Sequence, residues 1–491
     1  MIQLYFRSQP NKTRQLCCFS FTTQVWGAAV TFSENDIAAP TRQDFCKQNL
    51  SPQVVNEIQS YAPIARKIIK FVTEGKYKGR TWTKLAEFVD KFGSRIAGSK
   101  NLENAIDFML DELKKEGLEN VHGEEAQVPH WVRGKEHAEL IEPRKQNLPI
   151  LGLGSSVATP KSGITAELLV VDSFDELQRN KNLASGKIVV FNENYTSYGD
   201  SVQYRDYAAV EAAKLGGVAT LVRSVTPFSI SSPHTGWQDY DANVTKIPTA
   251  SITVEDAEML SRMFKRGDKL KVRLYMEAQN LPPATSRNTV AEIRGKTNPE
   301  EVVVVSGHLD SWDVGQGAMD DGGGAFVSWV SLAAIKKLGL TPRRTLRAIL
   351  WTAEEEGLVG AFAYVKAHKS DQGKLDFVME SDEGTFTPHG LSFSGSKMGG
   401  CILQEILKLT ASINTTNYET PQDGGPDIKL WTSKGVPGAS LINSNERYFW
   451  FHHSAGDMMT VEDPRALDLC TALWAVASYV VADLSFTIPR Q

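Results

Sequence analysis

Residues 302–324 read VVVVSGHLDSWDVGQGAMDDGGG, and few folds can accommodate that stretch. Four consecutive β-branched residues suit a strand buried on both faces, the environment at the centre of a parallel sheet. Such strands deliver chemistry at their carboxyl ends, in the crevice where the sheet topology switches. Here that end carries Ser306-Gly307-His308-Leu309-Asp310, then a glycine-rich turn with Asp320 and Asp321. An imidazole followed closely by carboxylates is metal-ligand chemistry: one ring nitrogen takes an ion while a carboxylate holds the ring in one tautomer.

The rest of the C-terminal half repeats the scheme. A helix is predicted over Gly324–Leu338 and a strand over Leu346–Trp351, ending in Thr352-Ala353-Glu354-Glu355-Glu356-Gly357. A strand over Phe377–Met379 runs into Glu380-Ser381-Asp382-Glu383, and one over Gly438–Ile442 precedes Phe451-His452-His453-Ser454-Ala455-Gly456-Asp457. A helix near Ile402–Leu409 and an apolar helix over Leu467–Leu484 complete the pattern. In a mostly parallel α/β sheet the strand ends lie side by side, so residues far apart in sequence meet in one crevice. The candidates for that meeting are His308, Asp320, Glu355, Asp382 and His453. Two imidazoles and three carboxylates suit a pair of zinc-like ions with one carboxylate bridging. Glu354, beside a ligand, is left free to act as general base. Asp313, Asp321, Glu356 and Glu383 are assigned to supporting or solvated positions.

His-x-Asp, Asp-Asp before a glycine cluster, Glu-Glu, Glu-Ser-Asp and His-x-x-x-Asp, in that order, resemble the aminopeptidase-type co-catalytic dizinc metallopeptidases. The likeness covers most of the chain from about Gln48. It implies a zinc exopeptidase fold, with one zinc on His308, Asp320 and Asp382 and a second on Glu355 and His453, Asp320 bridging. It makes Asp310 the residue that orients His308, and Glu354 the proton carrier. Asp320 is preferred to Asp321 because that family keeps its ligand four residues before the last glycine of the turn. His453 is preferred to His452 because Asp457 follows it at the family's spacing. The stretch departs from the pattern at Ala455 and Met458, which bears on substrate contacts near the second ion. The resemblance further implies small peptides as substrates, dipeptides with free termini among them, and a homodimer.

Residues 51–136 are expected to add helices to the peptidase part: one opened by Ser51-Pro52 and kinked at Pro63, one over Trp82–Phe92 and one over Leu102–Lys115. Residues 137–280 change character, with short strands predicted over Glu167–Val171, Lys187–Phe191, Val218–Val222 and Ile247–Thr253, and helices over Tyr207–Leu215 and Val254–Phe264. This segment is similar to a protease-associated domain inserted before the peptidase part at 281–491, and its expected job is to shape access to the site. Leu151-Gly-Leu-Gly-Ser155 lacks the strand and fingerprint that a nucleotide-binding loop needs. His122, His130, His137, His234, His368 and His389 have no partners at ligand spacing and are expected at the surface or in hydrogen bonds.

At 491 residues the chain allows two or three domains, at about 150 residues each. A net charge of −5 supplies no basic field for nucleic acid. No run of about 18 apolar residues suggests a membrane span. Residues 1–50 read as a leader, a possible signal and propeptide: Arg7, Lys12 and Arg14 precede an apolar run over Leu16–Phe32 that Ser20, Thr22, Thr23 and Gln24 interrupt. Five cysteines (Cys17, Cys18, Cys46, Cys401, Cys470) show no metal spacing and leave the body one disulfide at most. Glycosylation sequons at Asn11, Asn49, Asn194, Asn243 and Asn414, together with the leader, point to a secreted or lysosomal route. Two other readings use the same scaffold. A glutaminyl-cyclase-type zinc acyltransferase would use one zinc and lack the insert, and a receptor-like homologue would have lost ligands.

Overall fold

The four valines lie where their pattern places them. In the computed structural model, which describes residues 42–420 and 425–490, Val302–Val305 are all buried, in a strand with parallel neighbours on both sides. The cysteines at 17 and 18, the sequon at Asn11 and nearly all of the proposed leader fall outside the described residues. Asn49–Gln491 is one compact unit, and the helix Arg42–Asn49 begins in the unit that precedes it.

The described strands make two eight-stranded sheets. β1 (Glu119–Val132) belongs to the first sheet. The second sheet takes β2 (Glu136–Glu142), β3 (Gln146–Leu148), β4 (Ile150–Gly152), β5 (Ile164–Val171), β6 (Ile188–Phe191), β7 (Ala219–Arg223), β8 (Thr249–Ile252) and β9 (Lys271–Met276). The chain then returns to the first sheet with β10 (Gln279–Ile293), β11 (Asn298–His308), β12 (Arg344–Trp351), β13 (Leu375–Glu380), β14 (Pro388–Ser394), β15 (Asn417–Glu419) and β16 (Gly438–Asn443). Its spatial order is β1-β10-β12-β11-β13-β16-β14-β15. The four strands β12, β11, β13 and β16 run parallel, while the β1–β10 ribbon and β14 join antiparallel at either side. That order matters for function. The carboxyl ends of β12, β11 and β13 are immediate neighbours, about 4.8 Å apart per step, so whatever follows those strands is brought together.

Helices cover the sheet. The predicted kink at Pro63 is instead a break. Pro52–Ser60, capped by Ser51, ends at Tyr61, and Pro63 falls in the first turn of the next helix, Ala62–Thr73, where its missing N–H leaves nothing unpaired. Arg80–Phe92 and Lys100–Lys115 extend the predicted spans slightly. Gly323–Lys337 is buried over almost its whole length, and Trp329 at its middle is 0% exposed. Pro464–Asp483 is long and apolar enough to cross a membrane by composition, with mean hydropathy 1.4, but 94% of that window is buried inside the fold. It is a core helix, packed on Ala62–Thr73 and Gly323–Lys337. In the second sheet β5, β6, β7 and β8 run parallel, with the helices Tyr198–Lys214 and Val254–Lys265 packed on opposite faces.

Candidate metal centre

β11 ends on His308, which is 0% exposed. Its Nδ1 lies 3.1 Å from the backbone carbonyl oxygen of Asp310, and its Nε2 lies 3.2 Å from Asp320 Oδ1 and 3.3 Å from Asp382 Oδ1. A ring that donates Nδ1–H to a carbonyl keeps the Nε2 lone pair for an ion. Asp310 therefore meets His308 first through its main chain; its carboxylate is farther from the ring, at 3.7 Å. That carboxylate accepts the backbone N–H of Glu354 at 3.2 Å and of Glu355 at 3.3 Å, tying the loop after β12 to the end of β11.

The two adjacent aspartates of the turn separate cleanly. Asp321 accepts the N–H of His308 at 3.0 Å and of Gly324 at 3.1 Å, so both its oxygens are engaged by backbone. Asp320 points the other way, and its Oδ2 is buried with no hydrogen-bond partner. That oxygen lies 3.4 Å from His453 Nε2 and 3.5 Å from His452 Nε2. Glu355 Oε2 lies 2.8 Å from His453 Nε2. The side chains of His308, Asp320 and Asp382 converge closely enough to share an ion, and so do those of Asp320, His452 and His453. An unpartnered carboxylate oxygen, buried between imidazole nitrogens, fits a cation there. The geometry thus brings all five predicted ligands together. It also brings in His452, whose ring stacks on that of His453 at 3.5 Å. His453 is the better placed of the two, since it alone contacts Glu355 and its Nδ1 lies 3.2 Å from the carbonyl of Thr235.

Negative charge is crowded here. Burial first, then repulsion from neighbouring carboxylates, raises Glu354, Glu355 and Asp382 above the ordinary carboxylate range. Burial acts the same way on Asp320, but the bond with His308 and the imidazoles of His452 and His308 outweigh it and hold Asp320 low. Burial opposes a charge on His308, yet Asp382, Asp310 and Asp320 together raise its pKa well above the usual value. Such a set is satisfied by cations, and two divalent ions would neutralise four of its charges.

The glycines of the turn leave no room. A Cβ on Gly324 would stand 1.9 Å from the carbonyl oxygen of Ser381, and one on Gly307 would stand 2.4 Å from Asp321 Oδ2 and 2.5 Å from the nitrogen of Ala325. Bare backbone lets the start of Gly323–Lys337 press against the ends of β11 and β13.

The centre opens into a cavity of about 660 Å³. Glu354, Asp382 and Tyr448 line it, together with Tyr198, Arg205 and Trp237 from the layer of the second sheet. Glu354 Oε2 sits 3.9 Å from His308 Nε2, facing the space that a reacting group would fill. Ala455 and Met458 are exposed and do not line the cavity.

Several contributors carried no usable sequence signal. Arg95, 0% exposed, donates to the carbonyls of Gly93, Leu309, Gln316 and Gly317 and so braces the turn from behind. Arg205 comes from the middle of the helix Tyr198–Lys214, where nothing distinguishes it from a surface arginine. Tyr448, buried and lining the cavity, could have been noticed as the start of the aromatic run before the histidine pair. Of the other histidines, His234 is buried and hydrogen-bonded to the carbonyl of His452 at 2.6 Å, while His122, His368 and His389 also make hydrogen bonds.

Residues 288–478 match Peptidase family M28. The chain is 56% identical to carboxypeptidase Q of Bos taurus over 90% of its length and 94% of that protein. It is 54% identical to carboxypeptidase Q of Homo sapiens, over 91% of its length and 95% of that protein. Among solved structures, a peptidase M28 precursor from Shewanella amazonensis superposes with a TM-score of 0.84 at 29% identity, covering 88% of this chain and 99% of that one. BSAP, a zinc aminopeptidase from Bacillus subtilis, shares the fold with a TM-score of 0.63 at 20% identity, covering 82% of this chain and 95% of that one.

Proposed function

The chain belongs to peptidase family M28, with the carboxypeptidase Q proteins, and is a metal-dependent exopeptidase; from that premise we propose that it works with two zinc ions on small peptides, dipeptides with free termini foremost. The observation that carries the two-ion reading is Asp320, whose Oδ1 faces His308 and whose Oδ2 faces His453. His308, Asp320 and Asp382 would hold one ion, and Asp320, Glu355 and His453 the other. Zinc bound there would supply Lewis-acid polarisation of the scissile carbonyl and acidify a water.

The chain's own residues do the rest. Glu354 takes a proton from the attacking water and delivers it to the leaving amine, acting as base and then acid. The Asp310 carboxylate, which holds the N–H groups of Glu354 and Glu355, keeps base and ligand in fixed register. The layer formed by residues 137–280, read as a protease-associated-like insertion, walls the cavity beside His452 and His453 and limits how much peptide it admits. A cavity of about 660 Å³ matches a small peptide better than an extended chain.

We also place the protein on the secretory or lysosomal route, as a homodimer. Support for the route comes from the exposed asparagines of the sequons at Asn49, Asn194, Asn243 and Asn414, and from the disulfide that engages Cys401. Cys470 is a free, buried thiol. The dimer rests on the resemblance. The two-ion reading is tested by zinc per chain and turnover on a panel of dipeptides and their terminally blocked forms. Two ions and loss of turnover on blocking support it; one ion in an active enzyme overturns it.

A further inference from the structure

The two ion positions are not built alike. His308 ends β11, and Asp320 and Asp382 follow β11 and β13 of the first sheet. His453, by contrast, is held from behind by residues that hang on the second sheet. His234 pairs antiparallel with Ser454, the N–H of Thr235 donates to the carbonyl of His453 at 2.8 Å, and His234 Nδ1 lies 2.6 Å from the carbonyl of His452. The carbonyl of Thr235 lies 3.2 Å from His453 Nδ1. Arg205 Nη1 is also 3.4 Å from that nitrogen, but a guanidinium only donates, so Thr235 supplies the acceptor for Nδ1–H. With Nδ1–H engaged, Nε2 is left to face Asp320 and Glu355.

This strap is itself anchored. The N–H of His234 donates to Ser224 Oγ at 2.9 Å, and Ser224 Oγ donates to the carbonyl of Ile252 in β8 at 2.7 Å. Thr235 Oγ1 donates to the carbonyl of Gly152 in β4 at 2.8 Å. His453 also has a φ of +59°, a left-handed conformation that a non-glycine residue keeps only where its surroundings over-determine it.

We infer that His234 is a positioning residue: through the strap at 234–235, the layer of the second sheet sets the affinity of the ion position at Glu355 and His453 while leaving the position at His308 and Asp382 alone. The inference rests on the two-ion reading above. It turns a segment that shapes access into one that also governs metal occupancy.

The test is zinc per chain during dialysis of the full chain against rising chelator, for wild type, His234→Ala, His234→Asn and His453→Ala. Wild type should hold two ions and His453→Ala one. His234→Ala frees the carbonyl of His452 and loosens the strap whose Thr235 carbonyl holds His453, so it should release one ion at up to about 10-fold lower chelator than wild type, the low end of the cost of losing a ligand's own partner, and keep the other. His234→Asn, whose amide can donate to the same carbonyl, should behave close to wild type. Zinc added back to His234→Ala should restore turnover at a correspondingly higher zinc concentration. Retention of both ions by His234→Ala at wild-type chelator resistance overturns the inference. So does release of both ions in parallel, or failure of His234→Asn to rescue. If His234→Ala does not fold, Ser224→Ala decides: selective release of one ion supports the inference, and wild-type retention of both overturns it. Wild type holding one ion would instead defeat the two-ion reading, so the two failures are distinguishable.

Discussion

Asp457 holds Asp320 by its backbone: one carboxylate accepts the N–H groups of Ala318 at 3.0 Å, Met319 at 2.8 Å and Asp320 at 3.2 Å. The His-x-x-x-Asp spacing therefore links a ligand to the clamp of another ligand's turn. Asp457→Ala leaves three buried donors unpaired, at about 1–3 kcal/mol for each that finds no water. We expect denaturant unfolding to show a loss of at least about 2 kcal/mol, with zinc retained less tightly. An unchanged unfolding midpoint would show that the clamp is dispensable.

The two aspartates of the turn should fail differently. Asp320→Ala should lose more zinc than any variant of a ligand serving one ion, because it faces both positions. Asp321→Ala should mainly destabilise the turn, because its oxygens hold the N–H groups of His308 and Gly324. Metal analysis paired with thermal unfolding separates them. The reverse pattern, with both ions kept by Asp320→Ala and lost by Asp321→Ala, would falsify the ligand assignment.

Glu354 and Glu355 offer a second pair of alike neighbours. Glu354→Gln keeps size and polarity but cannot take a proton, so turnover should drop by about 10²–10⁴-fold at full zinc occupancy and with peptide still bound. Glu355→Ala should instead inactivate by loss of zinc. Near-normal turnover by Glu354→Gln would move the base role to another residue, with Glu356 first in line.

Stability should also carry a pH signature remote from the metal centre. Asp376 is buried beside Arg344, 3.3 Å away, and burial outweighs that partner, raising its pKa from 3.8 to about 6. The folded state thus binds this proton more tightly than the unfolded chain. The stabilisation is fully present below pH 3.8 and is lost as the pH rises through about 6. Relative to Asp376→Asn, which has no proton to lose, wild type should lose on the order of 1–3 kcal/mol across that window and stay level above it. Unfolding free energies at several pH values would show this, and a wild type that gained on the variant with rising pH would refute it.

The route has its own check. Protein made in a eukaryotic host should lose mass on glycosidase treatment, with Asn49, Asn194, Asn243 and Asn414 the exposed acceptors among the described residues. An unglycosylated chain retained in the cytosol would count against the secretory assignment and leave the enzymatic one standing.

What could be read in advance followed a physical rule. Val302–Val305 and Leu346–Trp351 are apolar on both faces, so their strands were visible, and polar residues just past such strands had to converge. The β1–β10 ribbon was not visible. β1 carries Gly123, Glu124, Glu125 and a proline at 129 beside a register shift, and it alternates between exposed and buried only over Glu125–Val128, too short a run to announce so long a strand. The Asp310 carboxylate was expected at His308 and lies 3.7 Å from its ring, but it also accepts the backbone N–H groups of Glu354 and Glu355, which no residue pattern could reveal. Arg95 and His234 act through carbonyls of distant loops, and such partners become apparent only once the chain is folded.

The bare glycines have an evolutionary corollary. At Gly324 and Gly307 any side chain would strike backbone or a buried carboxylate, with no flexible tip to give way. Saturation mutagenesis should return glycine alone at both positions, even under selection for folding without catalysis. The cavity wall is made by side chains instead, among them Trp237, whose Nε1 donates to Asp239 Oδ1 at 3.1 Å. A lineage on this scaffold can therefore drift in what it recognises far more freely than in where it keeps its ions: new diets are within reach of single mutations, and a relocated hearth is not.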